Sequence, residues 1–413
     1  MRKIIQCFTV LLSLVCAVAM SAVVYAKVSL PDRFVVAQGE SLKINFPIHI
    51  TTSNAKGSFP AEVYSAAGNS YKLNLKFGAL NLKTVQVDVV KRKCVVPGGQ
   101  PFGIKMFTQG VIVVGLSDVN NNGQRINPAK TAGIKAGDII LEMNGQQISS
   151  NHQVGQIVSQ SAGEAIRVKY KRNDAAYTVS LIPVKSDSDN LYRAGIWVRD
   201  SSAGIGTITY YDTSIGVFSG LGHAICDVDT GSIMPLNKGE VVDVNITGVT
   251  KGQAGAPGEL YGSFVNTRVL GGLYANCETG VYGTLSTDMI KKASKDAYVP
   301  LAMRYEVKTG PAKIYATLDG NSAQEFDIMI EKVNLSDQSP TKNLVIRVTD
   351  GRLLAKTGGI VQGMSGSPIL QNGMLVGAVT HVFVNDPQRG FGIFAENIYE
   401  GANFVYNKSN EVA

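Results

Sequence analysis

The sequence predicts a mainly β, exported chain built of several units, and three observations carry that prediction. The 413 residues are 45% apolar and only 17% charged, which supplies material for real cores and excludes wholesale disorder. An uncharged stretch, Ile4 to Ala26, directly follows Arg2 and Lys3. Forty-four glycines stand among abundant Val, Ile and Thr, a composition of short strands and tight turns. The net charge of +7 includes no basic run longer than Lys91-Arg92-Lys93, a poor footprint for phosphate backbones, so no nucleic-acid partner is expected.

Taken in order, residues 1–26 read as a signal peptide or membrane anchor. About 20 apolar residues suffice to span a bilayer, and Val24-Tyr25-Ala26 is an acceptable small-residue cleavage site. The positive flank places everything after Lys27 outside the cytoplasm. Beyond Cys7 and Cys16, Cys94, Cys226 and Cys277 are odd in number and widely spaced, so neither a disulfide framework nor a metal site is expected, and they read as buried thiols.

Residues 27–96 read as a small β domain, because Tyr71–Phe77 and Thr84–Val89 alternate apolar and polar side chains with a period of two. Pro97-Gly98-Gly99 breaks that pattern and marks a boundary. In residues 97–184, Phe102-Gly103-Ile104-Lys105-Met106 precedes a strand at Val111–Leu116. Ala132-Gly133-Ile134-Lys135-Ala136-Gly137-Asp138-Ile139-Ile140 then leads to Asn144-Gly145. This order resembles a PDZ domain of the bacterial protease-associated type. The resemblance implies a groove that adds a peptide as a strand, bordered by Phe102, Gly103, Ile104 and Met106. The polar run 185–190 reads as a linker, and 191–413 as one large β unit with its best helical start at Asp288–Ala293.

The sharpest motif is Gly363-Met364-Ser365-Gly366-Ser367-Pro368. A serine held between glycines on a tight turn can present Oγ while neighbouring amides converge. In the chymotrypsin-type pattern Gly-x-Ser-Gly-x-Pro, which this hexapeptide resembles, the first Gly and the Ser supply the oxyanion-hole N–H groups, here Gly363 and Ser365. Such donors are worth about 3 kcal/mol each at the transition state. A hairpin turn at Asn372-Gly373 and a strand at Leu375–Val379 follow, as the cleft-lining strand of a double β-barrel protease would. A nucleophilic Ser needs a base. Of His49, His152, His223 and His381, the glycine-flanked His223 is the candidate, whereas Thr380 and His381 fall on the strand expected to touch substrate. Asp227, Asp229, Asp243, Asp350 and Asp386 all qualify by order or proximity as the acid that orients the base.

A closer resemblance covers roughly residues 96–400. Gly222-His223-Ala224-Ile225, Arg347-Val348-Thr349-Asp350, the run Lys356–Ile369 and the run Gly377–Pro387, behind a PDZ unit, look like the stage IV sporulation protein B peptidase family. That resemblance implies a PDZ domain followed by a chymotrypsin-like double β-barrel serine protease domain. Ser365 would be nucleophile, His223 base and Asp350, fifteen residues before the serine, the acid. It implies no cofactor and no metal. It further implies export into the space between forespore and mother-cell membranes, cleavage there of a membrane-bound regulator of an intramembrane protease, and self-cleavage. Two other readings stand beside it: a catalytically silent PDZ adaptor, and a general extracytoplasmic quality-control protease of the HtrA type. The intact His/Ser pair argues against the first, and a PDZ unit placed ahead of the protease argues against the second.

Overall fold

The computed structural model describes residues 2–44, 51–54, 66–77, 80–173 and 175–412; His49 lies outside them. The apolar N-terminal segment forms helix α1 (Arg2–Ser29), long and apolar enough to cross a membrane and not covered by the rest of the chain. Only its far end is tied down, where Ala26 and Leu30 are buried against the first sheet. That sheet comprises β1 (Arg33–Ala37), β2 (Thr51–Asn54), β3 (Ser70–Phe77) and β4 (Leu80–Val90) in the order β1-β4-β3-β2. The period-two pattern is realised in β3, where Tyr71, Leu73 and Leu75 point inward.

After β5 (Cys94–Pro97) comes β6 (Pro101–Leu116), a strand that serves two bodies. Its second half enters the PDZ unit with β7 (Ile139–Met143), helix α2 (Asn151–Ser159), β8 (Ile166–Arg172) and β9 (Ala175–Leu181). The core there is Val111, Val113, Ile140, Val154, Val158, Ile166 and Val168. Ser150 and Gln153 form a reciprocal capping box that starts α2. The Gly-Asp signature has a concrete role. The buried Asp138 carboxylate accepts from the Lys135 N–H at 2.8 Å and from Arg172 Nε at 2.6 Å, pinning the turn that Gly137 makes at φ +90°. The polar run 185–190 is not a free linker. It turns a short hairpin in which Val184–Lys185 pair with Tyr192–Arg193, and Asp187 accepts from the Asn122 and Gly123 N–H groups at 2.9 and 3.0 Å.

The first half of β6 belongs to a barrel with β10 (Ile196–Asp212), β11 (Val217–Gly220), β12 (Leu236–Thr250), β13 (Glu259–Cys277) and β14 (Gly280–Leu285). Pairing runs β6-β12-β13-β14-β11-β10 and returns to β6, a six-stranded ring. The PDZ unit is thus inserted between the first two strands of this barrel. A division at 190 separates in sequence what the fold joins, because residues 101–108 pair with β10 and β12. Helix α3 (Thr287–Ala293), capped by Ser286, forms where the helical start was expected. A second, closed barrel follows: β15 (Gly310–Ala316), β16 (Gln324–Val333), β17 (Leu344–Val348), β18 (Pro368–Gln371), β19 (Met374–Phe383) and β20 (Asp386–Phe394), ordered β15-β16-β17-β20-β19-β18. Helix α4 (Gly351–Thr357) sits between β17 and β18, and α5 (Ala395–Val412) closes the chain. Ile314, Ile328, Ile330, Ile346, Ile369, Val379 and Phe394 fill the second barrel, each burial contributing roughly 1.5–3 kcal/mol. The cysteines depart from expectation: Cys94 and Cys226 are free and exposed, and Cys277 is half-buried.

Candidate active site

The barrels meet at two glycine-bearing turns. Beyond β11, Leu221 (φ +65°) and Gly222 (φ +69°) take consecutive left-handed conformations. A Cβ on Gly222 would lie 2.9 Å from Ile393 Cγ2 and 3.1 Å from Thr380 Cγ2, so glycine lets this turn press against the second barrel. His223 follows at once. Its Nδ1 lies 2.8 Å from the Ala224 carbonyl oxygen. A carbonyl only accepts, so Nδ1 carries the proton and Nε2 keeps its lone pair. Asn276 fixes the loop beyond: its Nδ2 donates to the Ile225 and Met234 carbonyls at 2.9 Å each, and its Oδ1 accepts from Ile225 N–H at 2.8 Å. Nothing in the sequence pointed to Asn276.

The second turn carries Ser365, and its peptide groups can be followed one by one. The Gln362 carbonyl accepts from Leu260 N–H at 2.9 Å, and the Gly363 carbonyl from Thr207 Oγ1 at 2.8 Å. The Met364 carbonyl accepts from Ser367 N–H at 2.9 Å, the Ser365 carbonyl from Thr207 N–H at 3.0 Å, and the Gly366 carbonyl from Thr209 Oγ1 at 2.8 Å. Among the N–H groups, Met364 donates to Val361, Gly366 to Val379 and Ser367 to Met364. The two left without an acceptor among the described residues are those of Gly363 and Ser365. The turn therefore offers two adjacent, oriented and unengaged donors, the requirement for receiving a developing oxyanion. Ser365 Oγ itself donates to the Thr380 carbonyl at 2.8 Å.

His223 and Ser365 line one cleft of about 510 Å³, walled by Ile205, Ile225, Ile360, Val361 and Val382. Thr380 and His381 line it too. The His381 ring stands 4.9 Å from that of His223, tilted by 36°. Burial holds the His223 imidazole below its ordinary pKa, partly opposed by the Ala224 hydrogen bond. Burial, then the neighbouring His223 and Lys342, takes His381 down to about 4. Both rings are therefore neutral at neutral pH, the state a general base requires.

Among the described residues Asp350 makes no hydrogen bond to His223; its carboxylate is engaged within its own turn. Its carboxylate caps α4, accepting from the Arg352 and Leu353 N–H groups, and pairs with Arg352 Nη2 at 2.8 Å. The Arg352 guanidinium, with those backbone donors, holds Asp350 far below the usual carboxylate range. Asp227 is engaged by Arg199 and Thr230, and Asp229 by Arg199. Among the described residues that line the cleft there is no Asp or Glu. The Ala224 carbonyl, at 2.8 Å from Nδ1, favours the His223 tautomer protonated there.

The expected peptide-groove residues are corrected. Phe102, Ile104 and Met106 are buried, and their strand is paired on both edges: Gly103 faces Ile205 on β10 and Val242 on β12. With no free edge, this segment cannot add a peptide strand. Ile104 and Met106 instead reach the cleft that His223 and Ser365 line. The PDZ unit's own concavity, about 480 Å³, lies between Val154 and Val158 of α2 and residues 194–198 at the start of β10.

Two six-stranded barrels, with a histidine turn and a serine turn facing each other across a cleft, define the class of chymotrypsin-like serine endopeptidases, here carrying a PDZ domain. The family model of the SpoIVB peptidase S55 matches residues 190–399, and that of the PDZ domain residues 101–182. The chain belongs to the SpoIVB peptidase S55 family. Among curated proteins it is similar to a putative zinc metalloprotease of Clostridium acetobutylicum, 27% identical over 95 residues, 23% of this chain. The chain spans about a quarter of that relative's length, 27%. Among solved structures it is similar to the Rv3671c protease from M. tuberculosis in its active form (15% identity, 49% of this chain and 73% of that one, TM-score 0.28). A thermostable serine protease, AL20, from an extremophilic microorganism gives 13%, 49%, 92% and 0.29. The PDZ domain of an SdrC-like protein from Listeria monocytogenes gives 22%, 22%, 87% and 0.18.

Proposed function

We propose that this chain is an exported endopeptidase, held at the membrane by α1 or released from it, that cleaves a membrane-associated regulatory protein in signalling between compartments during sporulation and also cleaves itself. The observation that carries the chemistry is the pair of unengaged amides at Gly363 and Ser365, on a turn that shares its cleft with a neutral His223. In the reaction, Ser365 Oγ leaves the Thr380 carbonyl and attacks the scissile carbonyl carbon. His223 Nε2 takes the hydroxyl proton, and the two amides receive the oxyanion. Collapse expels the amine, to which His223 returns the proton, and water then repeats the sequence on the acyl-enzyme. The Ala224 carbonyl stabilises the transient imidazolium through Nδ1–H. Peptide segments of the substrate dock on the PDZ concavity between α2 and β10. Family membership, α1 and the PDZ unit support the sporulation setting, the space between the two membranes, and a membrane-bound substrate that regulates an intramembrane protease.

The test follows self-processing of the full chain reconstituted in lipid vesicles, by gel and mass spectrometry, for wild type and Ser365→Ala. Wild type should shorten at defined bonds while Ser365→Ala stays intact. Equal processing of both, or intact wild type after prolonged incubation, overturns self-cleavage.

A further inference from the structure

The nucleophile turn sits on the second barrel, yet its backbone is held chiefly by the first. Of its five carbonyls, the four at Gln362, Gly363, Ser365 and Gly366 accept from Leu260, Thr207 and Thr209. Thr207 supplies two of these bonds, from its side chain and from its own N–H, and is 3% exposed. We infer that Thr207 is a positioning residue that sets the oxyanion hole from the opposite barrel. This rests on the reading of Ser365 as nucleophile.

The reason is geometric. The Gly363–Met364 peptide lies between the two peptides that carry the hole's N–H groups, so its orientation fixes how those groups converge. Gly363 has φ +93°, and glycine tolerates rotation of its adjacent peptides better than any other residue. The Thr207 Oγ1 bond to the Gly363 carbonyl, at 2.8 Å, restrains that rotation. Thr207 N–H, bonded to the Ser365 carbonyl, restrains the far side of the serine. Thr207 is on β10, the strand that leads out of the PDZ unit, and the nearby Ser202–Ile205 segment lines the cleft.

The test uses the full chain in detergent and a fluorophosphonate probe, whose phosphonylation of Ser365 develops charge in the same hole. Thr207→Val keeps shape and N–H but loses the hydroxyl donor. The expected result is a 10- to 100-fold fall in the maximal labelling rate with the half-saturating probe concentration changed less than about threefold. Thr207→Ser should restore labelling to within about threefold, with melting temperatures of all variants close together. A merely structural threonine would not give this split between rate and saturation, nor its rescue by serine. Should Thr207→Val fail to fold, Thr207→Cys, with a weak donor in the same volume, should fall between wild type and a tenfold loss. Wild-type rates in whichever of the valine and cysteine variants folds, or a serine variant as impaired as the valine one, overturn the inference. Unlabelled wild type would instead overturn the nucleophile assignment beneath it.

Discussion

Two glycine segments, Phe102-Gly103-Ile104 and Gly363-Met364-Ser365, read alike in the sequence: each places a glycine where backbone must come close to something. They end in opposite situations. At Gly103 an added Cβ would sit 2.6 Å from the Phe264 ring and 2.7 Å from Val242, on a strand whose two edges are both paired. At Gly363 the nearest neighbour is Leu260 at 3.1 Å, the backbone is left-handed, and the N–H has no acceptor among the described residues. One glycine admits a packed aromatic ring, and the other presents an amide. A glycine thus reports close approach, while the surrounding hydrogen bonds decide whether the partner is the protein's own core or a ligand.

The largest effect separating the two is expected at the serine turn. Gly363→Ala strains φ +93° and crowds Leu260, and should lower the maximal fluorophosphonate labelling rate by about 100-fold or more. Gly103→Leu should act on stability instead. Overpacking against Phe264 and Val242 should cost about 1–3 kcal/mol, read as a lower melting temperature, with peptide binding to the PDZ unit unchanged. Loss of that peptide binding in a folded Gly103→Leu protein would restore the original groove.

Asp350→Asn tests whether Asp350 acts as a helix cap or as the acid that orients His223. Asn caps helices about as well as Asp, so the labelling rate should change less than about threefold. A residue that orients the base would instead cost about 10⁴-fold. The smallest effect is in pH. Because burial lowers the His223 pKa, the base stays unprotonated further into acid, and the acid limb of labelling should lie below pH 6.5. His381, lowered to about 4, resists protonation when folded but accepts a proton near 6.5 when unfolded, so stability present above pH 6.5 should decline as the pH falls toward 4. His381→Asn should flatten that decline in thermal melts across the range.

What the sequence made legible follows chain locality. The Ser365 turn, the His223 turn and the strands β3 and β19 depend on residues adjacent in the chain, and their patterns show directly. The PDZ signature likewise works within one turn, through Asp138, Lys135 and Gly137, with Arg172 added from β8. Long-range partners did not show. β6 reads as the first strand of a PDZ unit, yet its first half closes a barrel whose other strands begin about 95 residues later. Asp350 has the right residue type and offset from Ser365, but its neighbour Arg352 and the start of α4 claim the carboxylate. Thr207 and Asn276 hold the Ser365 and His223 turns through contacts that no local pattern could mark.

We propose that His223, Gly363 and Ser365 form one hydrolytic site. It is tested most directly by fluorophosphonate treatment of the folded full-length chain at neutral pH, with the modified residue located by mass spectrometry. The predicted result is a single adduct on Ser365, absent from Ser365→Ala and strongly slowed in His223→Ala. A folded wild-type chain that takes up no probe, or takes it up on another residue, would rule out that site.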